Sequence, residues 1–195
     1  MHLAKRKAFG LGAVAAIAIG AAAPAWAHTG VGPASGFAAG VLHPVFGLDH
    51  LAVMLAVGIW AGQLGGRARF ALPGAFLVLI AAGLALGMAL PAVAASEALI
   101  LLSLAAMGLL IALEARFRVV WAAGLVGLFA FLHGHAHGSE APLAASGLGY
   151  AAGVMLATAL PIGAGLALQR GLRRLGSRLA GLTALAAAAG LALSA

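Results

Sequence analysis

No cysteine occurs anywhere in the 195 residues. A disulfide framework and a thiolate metal site are both excluded, so any bound metal must be held by nitrogen and oxygen donors, with thioether help from methionine at most. Charge is nearly as scarce: 8% of the residues are Asp, Glu, Lys or Arg, and only four are acidic. No nucleotide-binding motif is present, which leaves the chain without an ATPase of its own. What fills the space is apolar. With 64% hydrophobic residues and a mean hydropathy of +1.13, the composition is that of a helical membrane protein rather than a soluble domain. A formal charge of +7 is the usual flag for nucleic acid. Here the basic residues sit in short groups between apolar runs, as in cytoplasmic membrane loops, and nucleic-acid binding is set aside.

The chain reads as a signal peptide over 1–27 and a single transmembrane helical domain over 28–195. Lys5, Arg6 and Lys7 precede an apolar stretch over 8–23, and Ala25-Trp26-Ala27 has the small residues of a cleavage site. Eight arginines against four acidic residues then leave the mature chain at +4. Apolar runs over about 44–64, 70–90, 95–113, 117–133, 142–168 and 179–194 predict an all-α, polytopic bundle of six transmembrane helices. The first run follows a shorter apolar piece over 34–42, and Pro44 predicts a break at His43-Pro44. Pro73, Pro91, Pro142 and Pro161 mark other starts, turns or kinks. Arg67 and Arg69, Arg116 and Arg118, and Arg170, Arg173, Arg174 and Arg178 fall in alternate connections. The positive-inside rule makes that face cytoplasmic and puts the mature N-terminus outside a bacterial inner membrane, as a cleaved signal also would. Glycines four apart (Gly36 and Gly40, Gly58 and Gly62, Gly83 and Gly87, Gly149 and Gly153) predict close helix packing.

Two polar clusters interrupt the apolar sequence. His43, Asp49 and His50 lie in the first run, where ionisable groups are expensive and functional by default. His50 and Met54 are four apart and share a helical face. The second cluster is His133-Gly134-His135-Ala136-His137-Gly138-Ser139-Glu140. An extended segment would put its three histidines on one side; on a helix, His133 and His137 share a face. Gly134 and Gly138 would allow the backbone to turn, and the segment after His133 is expected to be a loop. The topology places both clusters at the outer face. After cleavage His28 would add an α-amine and an imidazole, a natural bidentate chelate. Glu114 beside Arg116 and Arg118 reads as an interfacial charge. Trp60 and Trp121 read as interfacial anchors, and Gln63 and Thr158 as packing residues.

The spacing H-x5-D-H at His43, Asp49 and His50, together with H-G-x-A-H-G-x-E from His133 to Glu140, resembles the HupE/UreJ family. These are hydrogenase and urease accessory membrane proteins that act as nickel permeases. The resemblance covers essentially the whole chain, including the Ala27-His28-Thr29-Gly30 start. It implies a metal path through His43, Asp49 and His50 from the first motif and His133, His137 and Glu140 from the second. His135 falls at a variable position. Where the family has Phe directly before the second motif this chain has Leu132, with Phe131 one earlier.

The expected function is a secondary permease, not an enzyme, which takes up Ni²⁺ as transported substrate without an organic cofactor. Co²⁺ or Zn²⁺ would suit the same donors nearly as well. Besides the ion and membrane lipid, expected partners are nickel-enzyme maturation proteins, with homo-oligomerisation open. Two rival readings are an intramembrane zinc-dependent hydrolase and a nickel-binding accessory protein that does not conduct. The metal candidates are thus His43, Asp49, His50, His133, His137 and Glu140, followed by His28, His135 and Met54.

Overall fold

The computed structural model describes residues 36–93, 96–142, 146–172 and 174–194. They form seven helices, with no strand among the described residues: α1 (Gly36–Phe46), α2 (Leu48–Leu64), α3 (Ala68–Ala89), α4 (Ser96–Ala112), α5 (Val119–Ser139), α6 (Gly147–Gly171) and α7 (Arg174–Ser194). The all-helical expectation holds. Segment 1–27 and His28 lie outside the described residues. Helices α3, α5, α6 and the Gly176–Leu193 part of α7 are long and apolar enough to cross a membrane, and the pair α1–α2 adds a fifth span bent by 82°. The sixth expected span, α4, is apolar but has only 17 residues.

The break in the first span lies at Gly47, three residues beyond the expected site. Pro44 sits inside α1. Proline disturbs the turn that precedes it, where its missing N–H would have reached residue 40, so the residues after it can stay helical. Gly47 instead adopts extended backbone and caps α2. A Cβ there would come within 2.7 Å of His50 Nδ1, so glycine leaves room for the His50 ring to fold back over the break.

Glycines set how the helices meet. Along α3 and α5 the contact is reciprocal: a Cβ on Gly83 or Gly87 would strike the carbonyls of Phe131 or His135, and one on Gly134 or Gly138 those of Ile80 or Leu84. Both helices therefore run parallel with backbones touching, which in lipid is a main source of association. Gly58 on α2 and Gly165 on α6 make the same contact, as do Gly40 on α1 and Gly153 on α6. Small residues thus occupy the seams. Phe70, Val78, Leu102, Val120 and Trp121 point outward, as expected where the surroundings are as apolar as leucine.

Gly134 and Gly138 do not turn the chain. They keep α5 helical to Ser139, and the loop expected after His133 is a further turn and a half of helix. A second correction concerns Trp60, which is fully buried. Its Nε1 donates to the Ala115 carbonyl at 3.1 Å, whereas Trp121 is exposed.

Trp60 belongs to a layer at the end opposite the histidines. Gln63 Nε2 donates to the Ile111 carbonyl there, and Arg178 Nε to Glu114 at 3.0 Å. The loops carrying Arg67, Arg116 and Arg118 meet at this end. Helix α4 closes with Glu114 N–H donating to Ile111 and Ala115 N–H to Leu110, the paired bonds of a Schellman stop. Glu114 occupies its left-handed position with φ 51°, where a side chain costs roughly 1–2 kcal/mol and glycine is usual.

Candidate functional site

Five helices converge on the histidines. His43 lies in the last turn of α1 and Asp49 and His50 in the first turn of α2. His133 and His137 are four apart on one face of α5, and Glu140 caps that helix, its N–H bonded to the Ala136 carbonyl. Tyr150 comes from α6 and Phe76 from α3.

The rings form a row. His43 and His137 have centroids 5.0 Å apart, His137 and His50 are at 4.5 Å, and His50 and His133 are at 5.3 Å. A carboxylate stands beside each of the two histidines from the first motif. Glu140 Oε2 is 3.0 Å from His43 Nε2, and Asp49 Oδ1 is 2.9 Å from His50 Nδ1. The same Asp49 oxygen accepts the His50 backbone N–H. A carboxylate in the first turn of α2 also faces the positive end of the helix dipole. The two sequence clusters, more than 80 residues apart in the chain, thus meet in one place.

Exposure divides the histidines by motif: the His50 and Asp49 side chains are 16% and 18% exposed, close to His43. The Glu140 side chain is 34% exposed and that of His43 16%, whereas His137 and His133 are buried. Hydrogen bonding fixes the roles of the nitrogens. His133 Nδ1 lies 2.8 Å from the Phe129 carbonyl. A carbonyl only accepts, so Nδ1 carries the proton and Nε2 keeps its lone pair. That Nε2 is buried without a hydrogen-bond partner, and so are both ring nitrogens of His137. Buried polar atoms are nearly always paired, and three orphaned nitrogens on the two rings that flank His50 mark a place built to meet something else. A ring nitrogen anchored on a carbonyl while the other faces outward is how metal-binding histidines are commonly oriented.

The arrangement is not a closed cage. Among the described residues no three His, Asp or Glu side chains stand in a ready-made coordination set. What the geometry offers is imidazole and carboxylate donors side by side, with the partly exposed Glu140, His43, Asp49 and His50 against the buried His133 and His137.

Of the remaining candidates, His135 is nearly buried on the opposite side of α5. Its backbone packs against Gly83 and Gly87, and none of the ring contacts includes it. Met54 is fully buried in the apolar core one turn below His50. Tyr150 lies outside both sequence motifs. Its hydroxyl donates to the His137 carbonyl at 2.9 Å, and its ring stands 6.2 Å from His43. It is the chain's one tyrosine, and that singularity is the signal that could have found it.

Residues 15–193 match the family model described as HupE / UreJ protein. Protein HupE of Rhizobium leguminosarum bv. viciae is 44% identical over 149 residues, covering 75% of this chain and 78% of the relative. No solved structure matches.

Proposed function

The chain belongs to the HupE/UreJ family and is a multi-pass membrane protein, and from that premise we propose that it is a secondary permease that admits Ni²⁺ through the inner membrane for nickel-enzyme maturation. The observation that carries the proposal is the set of orphaned nitrogens on His133 and His137, in van der Waals reach of His50. Two buried imidazoles with unclaimed nitrogens suit a borderline divalent ion.

Glu140 and His43 at the mouth attract and partly dehydrate the ion. His137 and His50 then take it, and His133 draws it inward. Asp49 holds the His50 ring through Nδ1 and leaves Nε2 for the ion. Tyr150 fixes the turn of α5 that carries His137. Ligands drawn from three helices, none forming a cage, favour entry without trapping, as conduction requires. With the arginine loops cytoplasmic, the histidine mouth faces outward. A potential negative inside then favours each entering charge by about 2.3 kcal/mol per 100 mV.

The test is metal flux into proteoliposomes holding the purified protein, with Ni²⁺, Co²⁺ and Zn²⁺ compared and His50→Ala as control. Saturable Ni²⁺ entry that disappears in the variant is the expected result. Absence of flux, with one ion tightly held through His50, would replace transport with a holding or catalytic role.

A further inference from the structure

At the end opposite the histidines lies a cavity of about 120 Å³ lined by Gln63, Glu114, Arg116, Gln169, Leu172 and Ser177. We infer that this cavity is a second cation site, from which a divalent ion leaves the protein, with Glu114 as its anionic ligand and the oxygens of Gln63, Gln169 and Ser177 as neutral ones. The inference rests on the permease reading above.

Three features support it. First, the donors are turned to use. Gln63 spends its amide N–H on the Ile111 carbonyl, which leaves its Oε1 buried with no hydrogen-bond partner. Gln169 Oε1 accepts from Ser177 Oγ at 3.1 Å, so two more oxygens are held side by side. The cavity has room for a cation that keeps several of its waters. Second, the carboxylate stands where glycine fits best. Glu114 takes the left-handed position of the α4 stop, and a strained backbone that persists at one residue points to a need for its side chain. Third, a polar step lies between the two ends. The Thr158 hydroxyl is fully buried and unpartnered. It is eight residues below Tyr150 and eleven above Gln169 on α6, or about 12 and 16 Å along the helix.

The chemistry differs from the outer row in the direction that transport needs. Imidazole binds Ni²⁺-like ions more tightly than neutral oxygen does. Arg178 already neutralises Glu114, so an arriving cation must displace a guanidinium that is 57% exposed and can swing into water. Arg116 in the same wall repels the ion further. The inner site is therefore weak, and an ion that reaches it is released.

The experiment measures Ni²⁺ uptake by full-length protein in proteoliposomes, with Ni²⁺ binding in detergent measured beside it. Glu114→Gly removes the carboxylate and supplies the residue that the α4 stop favours, so the variant should fold at least as well as wild type. The expected result is uptake slowed by at least about tenfold with binding at the outer row unchanged. Arg178→Gln breaks the same ion pair but removes only the competitor, and should leave uptake within about threefold. Wild-type uptake in Glu114→Gly, or equal losses in both variants, would make the pair a structural tie and overturn the inference. If wild type itself carries no Ni²⁺, the permease reading fails first, and that failure is read from a different sample.

Discussion

Gly134 sits between two histidines of the second motif, and its replacement by alanine tests whether the motif's glycines serve packing. A Cβ at Gly134 would strike the Ile80 carbonyl oxygen and lie 2.8 Å from Leu84 N. Ordinary contact begins near 3.4 Å, so α3 and α5 must part by at least the 0.6 Å between those distances. Both obstacles are backbone and cannot swing aside. Overpacking of this kind costs about 1–3 kcal/mol, against a gain in helix propensity of up to about 1 kcal/mol. Gly124 on the same helix has nothing within 4 Å of its added Cβ, so Gly124→Ala keeps the propensity gain alone. The two variants should differ by roughly 2 kcal/mol, or about thirtyfold in unfolding equilibrium. Unfolding in mixed micelles at rising dodecyl sulfate measures that difference. Uptake should fall in Gly134→Ala, because the shift moves His133 and His137 away from His50, whose ring lies 4.5 Å from that of His137. Equal stability in the two variants would refute the packing role.

Three further outcomes follow from the same geometry. His137→Leu should abolish uptake while leaving the protein as stable as wild type or more so, by up to about 3 kcal/mol, because it removes two buried unpartnered nitrogens; a large loss of stability would mean that the ring is a packing element. Lowering the pH from roughly 8 to 5 should reduce Ni²⁺ uptake, since a proton and the ion compete for the same imidazole lone pair, and uptake that rises toward acid would argue against imidazole ligation. Glu140→Gln should raise the apparent KM about fivefold with little change in maximal rate, as expected for a partly exposed pair worth about 1 kcal/mol; an unchanged KM would remove Glu140 from the mouth.

The helical class and the common end of the two clusters were legible because both depend on patterns that survive in one dimension. Apolar runs mark the helices, and the arginine loops fix which ends face together. The position of each break was not legible in the same way. Pro44 is the obvious breaker, yet the chain breaks at Gly47, where the backbone turns extended and the His50 ring folds back over a residue without a Cβ. The second motif misled for a related reason. Gly-rich sequence disfavours helix in water, so the run after His133 looked like a loop. In the bundle the same glycines earn helix through contact with α3, a partner that no local pattern displays. At α4 the apolar run over about 95–113 gives 17 helical residues, the short end of spanning length.

The second motif is therefore one object with two faces. His133 and His137 are four apart and turn toward His50. Gly134 and Gly138, each one residue later, turn about 100° away and meet α3. The alternation H-G-x-x-H-G places a ligand and a backbone contact on every turn, so the seam that locks α5 to α3 also sets the height and rotation of the imidazoles. His135 falls on the seam side, its backbone against Gly83 and Gly87, which is why a third histidine in the same short run stays apart from the row. Ligand spacing alone would tolerate any small or apolar residue at 134 and 138. The packing restricts both to glycine.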